Sequence, residues 1–294
     1  MLNKYTINYY SWTSWLDFLN LEEKFIKLLK TIPPDDQNLG TWSPRLADLL
    51  IIVCTRLDSF LKACLRSKFW DETKDFFPEI YKTKKNIILT GNEILTIKNY
   101  ESFFNKIYKL HEQIVYFKPR NLQEILPFNG WQPKKPPDWW TTYNSFKHDF
   151  FNNMKESTLN KVIYAFAGYF LCFIIHPETI STFAYSKKVL KVRSLNLPSI
   201  IPSNDGTEEK LKLIKTLKNK NPKNPAIKDY ILYLKRWVNA LPPYPDIGNQ
   251  GALLAESKLF MYLYRTKNYE QYKKSIEFNK IDNLLLSEID SSPI

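Results

Sequence analysis

The sequence predicts a mainly α-helical fold: a helical bundle followed by a smaller, partly irregular basic region. Three observations predict it. Apolar residues recur at helical spacing in long stretches between residues 12 and 175. Clusters of proline, glycine and aspartate separate those stretches, as in IPPDDQNLG at 32–40. Only 7 glycines stand against 19 Phe, 18 Tyr and 8 Trp, a balance that favours wide, ring-packed contacts over tight turns.

The first helix reads from 12 to 31, where Trp15, Phe18, Leu19, Phe25, Ile26 and Leu29 share helical spacing. A second runs from 44 to about 68, with Ser43 as its cap and Pro44 at its first position. Residues 73–90 read as a short strand or extended chain. A helix over 97–117 then carries Tyr100, Phe103, Phe104, Ile107, Leu110 and Ile114. Pro136 and Pro137 close a proline-rich crossover, and Asp138 caps a helix running from Trp139 to Asn153. After a break at 154–157, with Ser157 as a cap, an apolar helix covers 158–175 until Pro177 stops it. Its run VIYAFAGYFLCFII falls short of the roughly 20 residues a membrane span needs, so it predicts a buried helix and no membrane partner. Farther on, 180–207 reads as extended or loop, 207–219 and 224–239 as helices, and 252–264 as a last helix. The chain thus divides into a bundle domain at 12–180 and a basic C-terminal region at 181–294.

Composition narrows the function. At 44% apolar and 24% charged residues the chain is globular rather than disordered. Cys54, Cys64 and Cys172 lie in apolar surroundings without a CxxC pair, and the first residues are too polar for a secretory signal. Both point to a cytoplasmic protein with reduced core thiols. There is no phosphate loop, dinucleotide fingerprint or nucleophile elbow, and His111, His148 and His176 share no metal-ligand spacing. No cofactor or metal is therefore expected. The net charge is +12, and residues 210–236 alone carry eight lysines and one arginine against one aspartate. Lys210, Lys212, Lys215, Lys218, Lys220 and Lys223 suit a polyanion such as RNA, although lysines also serve simply to solubilise a surface.

The stretch PDWWTTYNSFKHDF at 137–150 holds the candidate site. On a helix Asn144 and His148 are neighbours at i and i+4, and Lys147 leans toward the same edge. In the 44–68 helix, Arg56 and Asp58 interrupt apolar faces, so both need partners. If these helices pack together, Asp58 would orient His148 or pair a nearby cation, and Arg56 would face the same cleft. Imidazole is the natural proton shuttle near neutrality, the two cations would stabilise charge on a phosphate, and Asn144 would position it. Those are parts for metal-independent RNA cleavage, in which the 2′-hydroxyl attacks the adjacent phosphorus. The same residues fit a structural reading, with His148 half-buried, bonded to Asp58 and knitting two helices together.

LEEKF at 21–25, WSPRLADLLIIVCTRLDSFLK at 42–62 and WWTTYNSFKH at 139–148, leading into the apolar helix, resemble a HEPN-type helical domain. The resemblance covers roughly 12–175. It implies a helical bundle, often a homodimer, that commonly acts as a metal-independent RNase in toxin–antitoxin, abortive-infection or other defence systems. Its partners would then be RNA, a second copy, and an antitoxin or other defence-system protein. The hallmark of that superfamily is an arginine followed by four to six residues and then a histidine. Here His148 matches the histidine, while Thr141, Thr142 and Tyr143 stand where the arginine would be. Asn144 is the kind of polar residue found inside the motif, and Lys147 and Arg56 would have to supply the missing cation. HEPN-like domains without the full motif serve as nucleic-acid- or protein-binding modules. That reading stays open, as does a purely structural or interaction role.

Overall fold

The computed structural model describes residues 4–66, 78–90, 95–105, 108–132, 134–176, 193–195 and 252–265. The chain forms two compact units, one of residues 1–182 with 256–262, the other of 183–255 with 263–294. The first unit thus takes in a short segment from the region expected to belong to the second. The described residues of the second unit include a pair of antiparallel strands, β3 (Arg193–Leu195) and most of β4 (Ala252–Glu256), with Arg193 opposite Leu254 and Leu195 opposite Ala252. The lysines from Lys210 to Lys223 and the expected helices at 207–219 and 224–239 lie outside the described residues.

The first unit is mainly helical. Among the described residues its helices are α1 (Lys4–Leu29), α2 (Pro44–Arg66), α3 (Pro78–Thr90), α4 (Ile97–Tyr100), α5 (Asp138–His148), α6 (Phe150–Asn153) and α7 (Leu159–Ile175). α7 is the centre, and it packs against α1, α2 and α5. It is buried nearly all round, as its apolar sequence requires. Phe166 stacks on Phe25 of α1 at 4.6 Å between ring centroids, Phe173 on Phe60 of α2 at 5.1 Å, and Phe170 on Phe260 at 5.8 Å. Gly168 lets α7 approach the crossover: a Cβ there would lie 3.1 Å from Trp139 Cζ2 and 3.3 Å from Phe128 Cζ. Trp139 is fixed in turn by its indole N–H, which donates to the Pro127 carbonyl at 2.8 Å. Among the described residues no helix is long and apolar enough to cross a membrane.

Ser43 caps α2 as its position implies, its hydroxyl accepting from the Leu46 N–H at 3.2 Å. Two expected caps are not made: Asp138 is the first residue inside α5, and the Ser157 hydroxyl donates back to the Met154 carbonyl. Four other expectations need correcting. Residues 78–90 are helical rather than extended; Pro78 opens α3, where its missing N–H leaves no bond unmade. The helix expected over 97–117 keeps only α4, widens into a π-helical turn at Glu101–Asn105, and ends before β1 (Val115–Phe117). Asn105 explains the ending: its side-chain oxygen accepts from the His111 N–H at 2.9 Å, offering the backbone a partner outside the helix, and Lys109 turns left-handed at φ 48°. The helix expected over 139–153 breaks at Asp149, whose backbone is extended and whose carboxylate caps α6 through the Asn152 N–H at 3.3 Å.

The fourth correction is at 252–264, which forms strands instead of a helix: β4 and β5 (Phe260–Arg265). In the first unit β1 lies between β2 (Gln123–Ile125) and the start of β5, all antiparallel. Val115 faces Ile125, and Phe117 faces both Gln123 and Phe260. The Lys118 N–H donates to the Leu259 carbonyl at 2.9 Å. Partners more than a hundred residues away satisfy this backbone, and such pairing outweighs local helical spacing.

Candidate functional site

α2 and α5 pack side by side, and a polar seam runs between them and α4. Thr55 of α2 and Tyr143 of α5 share a hydrogen bond at 3.2 Å between their hydroxyls. The Lys147 ammonium lies 4.2 Å from the centre of the Tyr143 ring, in cation–π range. One turn along α2, the Asp58 carboxylate accepts from Lys62 Nζ at 2.6 Å and from the buried Tyr100 hydroxyl at 2.9 Å. Burial and the adjoining carboxylate push the Tyr100 hydroxyl far above its ordinary value, so it stays a donor. Cys54 lies buried at the seam, within electrostatic reach of both Lys147 and Asp58. Burial raises its thiol well above the usual range, which leaves it inert.

The expected composite site divides in two. Arg56 sits two residues, about 200° of helical rotation, from Asp58 and faces α1, where its Nε pairs with Asp17 at 3.0 Å. Its guanidinium is 55% exposed. Asp58 does pair a cation, but that cation is Lys62, and its other oxygen holds Tyr100 rather than His148. His148 ends α5, is exposed, and makes no side-chain hydrogen bond or ion pair with any described residue. The half-buried His148–Asp58 bond of the structural reading is therefore not what the fold contains. Asn144 is half-exposed one turn earlier on α5, and Lys147 is exposed beside His148. Just past the break stands Phe151, 84% exposed, its ring edge-on to Phe150 at 5.5 Å.

The other two histidines have defined surroundings. His176 is buried against the edges of Phe60 and Tyr108, and that burial drives its imidazole down to about 3, so it stays neutral. His111 is held by Asn105, whose amide oxygen lies 2.8 Å from Nδ1. The Asn105 amide nitrogen donates to the Trp131 carbonyl at 3.1 Å, which fixes the oxygen toward His111 and so places the ring proton on Nδ1. Nε2 then faces Glu112 at 3.3 Å. Nothing in the local sequence marks this arrangement, because the π-helical turn creates it.

Glu22 is the other residue whose surroundings the sequence does not reveal. It lies on α1 at 1% exposure. Its carboxylate accepts from the Ser257 hydroxyl at 2.5 Å, the Leu259 N–H at 2.9 Å and the Lys258 N–H at 3.3 Å. Among the described residues no cluster of three or more histidine, cysteine or acidic side chains is placed to hold a metal ion. Compared with known proteins, the chain matches no family model, no curated protein and no solved structure. The HEPN-type resemblance accordingly rests on the residues that carry it in the sequence.

Proposed function

We propose that this chain is an RNA-binding helical protein that engages single strands at the α5–α6 end of the first unit. The observation that carries the reading is the exposed aromatic Phe151 standing just past the exposed cation Lys147 and the unbonded imidazole His148. Single-stranded RNA is held by stacking of bases on aromatic rings and by cations on its phosphates, and this end supplies both. The lysine-rich stretch from Lys210 to Lys223 would offer further cations to RNA phosphates. The family resemblance adds a homodimer and an antitoxin or other defence-system partner to this reading.

Metal-independent RNA cleavage is the second reading, favoured by the availability of His148. In that chemistry the 2′-hydroxyl attacks phosphorus, the bond to the 5′-oxygen breaks, and a 2′,3′-cyclic phosphate remains. His148 would move the proton, Lys147 would face the phosphate, and Asn144 would position it. Arg56 and Asp58 have no part in it, being engaged by Asp17, Lys62 and Tyr100. Among the described residues Lys147 is the cation beside His148 on α5, and a second copy would bring another.

Both readings meet one assay. Fluorescence anisotropy of a labelled single-stranded RNA should show binding that weakens steeply with salt, and Phe151→Ala should weaken it by about tenfold, the loss of one stacked base. No binding at low salt would remove the proposal. Incubating the same samples in EDTA tests cleavage: cyclic-phosphate ends that disappear in His148→Ala, with a loss of about 10²–10⁴ in rate, would establish the second reading.

A further inference from the structure

The segment 256–262 belongs to the first unit although the chain reaches it only after the second has begun, and the chain enters the second unit both after residue 182 and after residue 262. What holds this segment is unusual for a surface turn. The turn presents the Ser257 hydroxyl and two backbone N–H groups, of Lys258 and Leu259, to one side chain, Glu22. The Ser257 N–H donates to the Phe260 carbonyl at 2.8 Å, and the Phe260 N–H returns to the Ser257 hydroxyl at 3.0 Å, which closes the turn. Just past β1 the Lys118 ammonium donates to the Ser257 carbonyl at 2.8 Å, and Tyr262 donates to Gln113 at 2.7 Å. Outside, Lys258 pairs with Glu23.

We propose that residues 256–262 are a proton-coupled clip, in which Glu22 grips the Ser257–Leu259 turn and the ionisation of that one carboxyl sets how firmly the clip closes. The charged groups around Glu22 are few. Lys118 acts on it from beyond β1, and Lys258 acts from the turn itself while engaged with Glu23. α2 and α7, the other helices against α1, add no charge that acts on it among the described residues. Burial is the largest influence and raises the Glu22 carboxyl, against the opposing pull of Ser257, the two N–H groups and Lys118. The proton is thus bound more tightly in the closed clip than in the open one. Its stabilisation is complete below the ordinary carboxyl range and is lost as pH rises through the raised value. The clip therefore loosens toward higher pH. A protonated carboxyl keeps its place, since it can donate to the Ser257 hydroxyl while its other oxygen accepts from the turn.

Hydrogen exchange of the full-length chain, read by mass spectrometry and corrected for the intrinsic pH dependence of exchange, tests this. Protection of 257–262, taken relative to α7, should fall by at least about threefold between about pH 4 and about pH 8. Glu22→Gln, which keeps an acceptor but cannot ionise, should level that fall to within about twofold. Ser257→Ala removes a bond that holds the proton off, so it should make the fall steeper; this variant also serves if Glu22→Gln does not fold. A wild-type clip whose relative protection does not change with pH overturns the proposal, and so does a fall that survives Glu22→Gln or is unchanged by Ser257→Ala.

Discussion

Glu22 is buried under three donors supplied by a turn more than two hundred residues away, whereas His148, at the end of α5, is exposed and bonded to no described side chain. Both are ionisable residues on helices of the same bundle, and the sequence gives more reason to single out His148. The comparison teaches that an ionisable group reveals its role through the partners its fold provides. A buried carboxyl group held by three donors fixes a piece of chain in place, and an imidazole with no bond to a described side chain stays open to solvent. The α2–α5 seam lies between these extremes: Asp58 is 15% exposed and holds both Lys62 and the buried Tyr100 hydroxyl.

The comparison can be broken most directly at the buried end. Glu22→Ala leaves the Ser257 hydroxyl and two N–H groups without their acceptor, and urea unfolding should show a loss of about 3 kcal/mol. A loss below about 1 kcal/mol would mean that water replaces the carboxylate and that the clip carries little stability. Asp58→Ala should cost about 2 kcal/mol, because the buried Tyr100 hydroxyl then has no acceptor. Adding Tyr100→Phe should recover part of that loss, a coupling that a double-mutant cycle would measure. Arg56→Ala removes an ion pair whose guanidinium is mostly in water, so its effect should stay under about 1 kcal/mol and shrink further with salt. It should also leave RNA binding at α5–α6 unchanged. Smallest of all is His148→Ala, expected within about 0.5 kcal/mol of wild type in stability. A large loss there would assign His148 to the fold and sink its proposed role at the RNA surface.

The helices that were legible in advance are those whose own residues supply both start and face. Ser43 and Pro44 open α2 as their chemistry dictates, and α7 is apolar enough that burial is its only stable place. The stretch 97–117 misleads because its apolar spacing is helical while Asn105 draws the backbone of His111 away from the helix. Residues 252–264 mislead for the opposite reason: nothing nearby opposes a helix, and the strand is chosen by β1 and Glu22. Site residues follow the same rule. Asn144, Lys147 and His148 share one short helix, so their neighbourhood could be read from spacing. Whether Arg56 and Asp58 joined them depended on which helix each would meet, and nearly opposite sides of α2 turn them to different neighbours.

The sequence by itself determined the mainly helical character of the first 175 residues, the burial of α7, and the clustering of a histidine, a lysine and an asparagine at the end of α5. Those follow from composition and from periodicities of three and four residues, which act over distances a local stretch of chain controls. Tertiary structure alone decided that Arg56 pairs with Asp17, that Asp58 holds Tyr100, and that Glu22 closes over Ser257. Each of those bonds joins groups whose meeting depends on how whole elements pack, and a charge or hydroxyl removed from water accepts whichever partner the packing delivers.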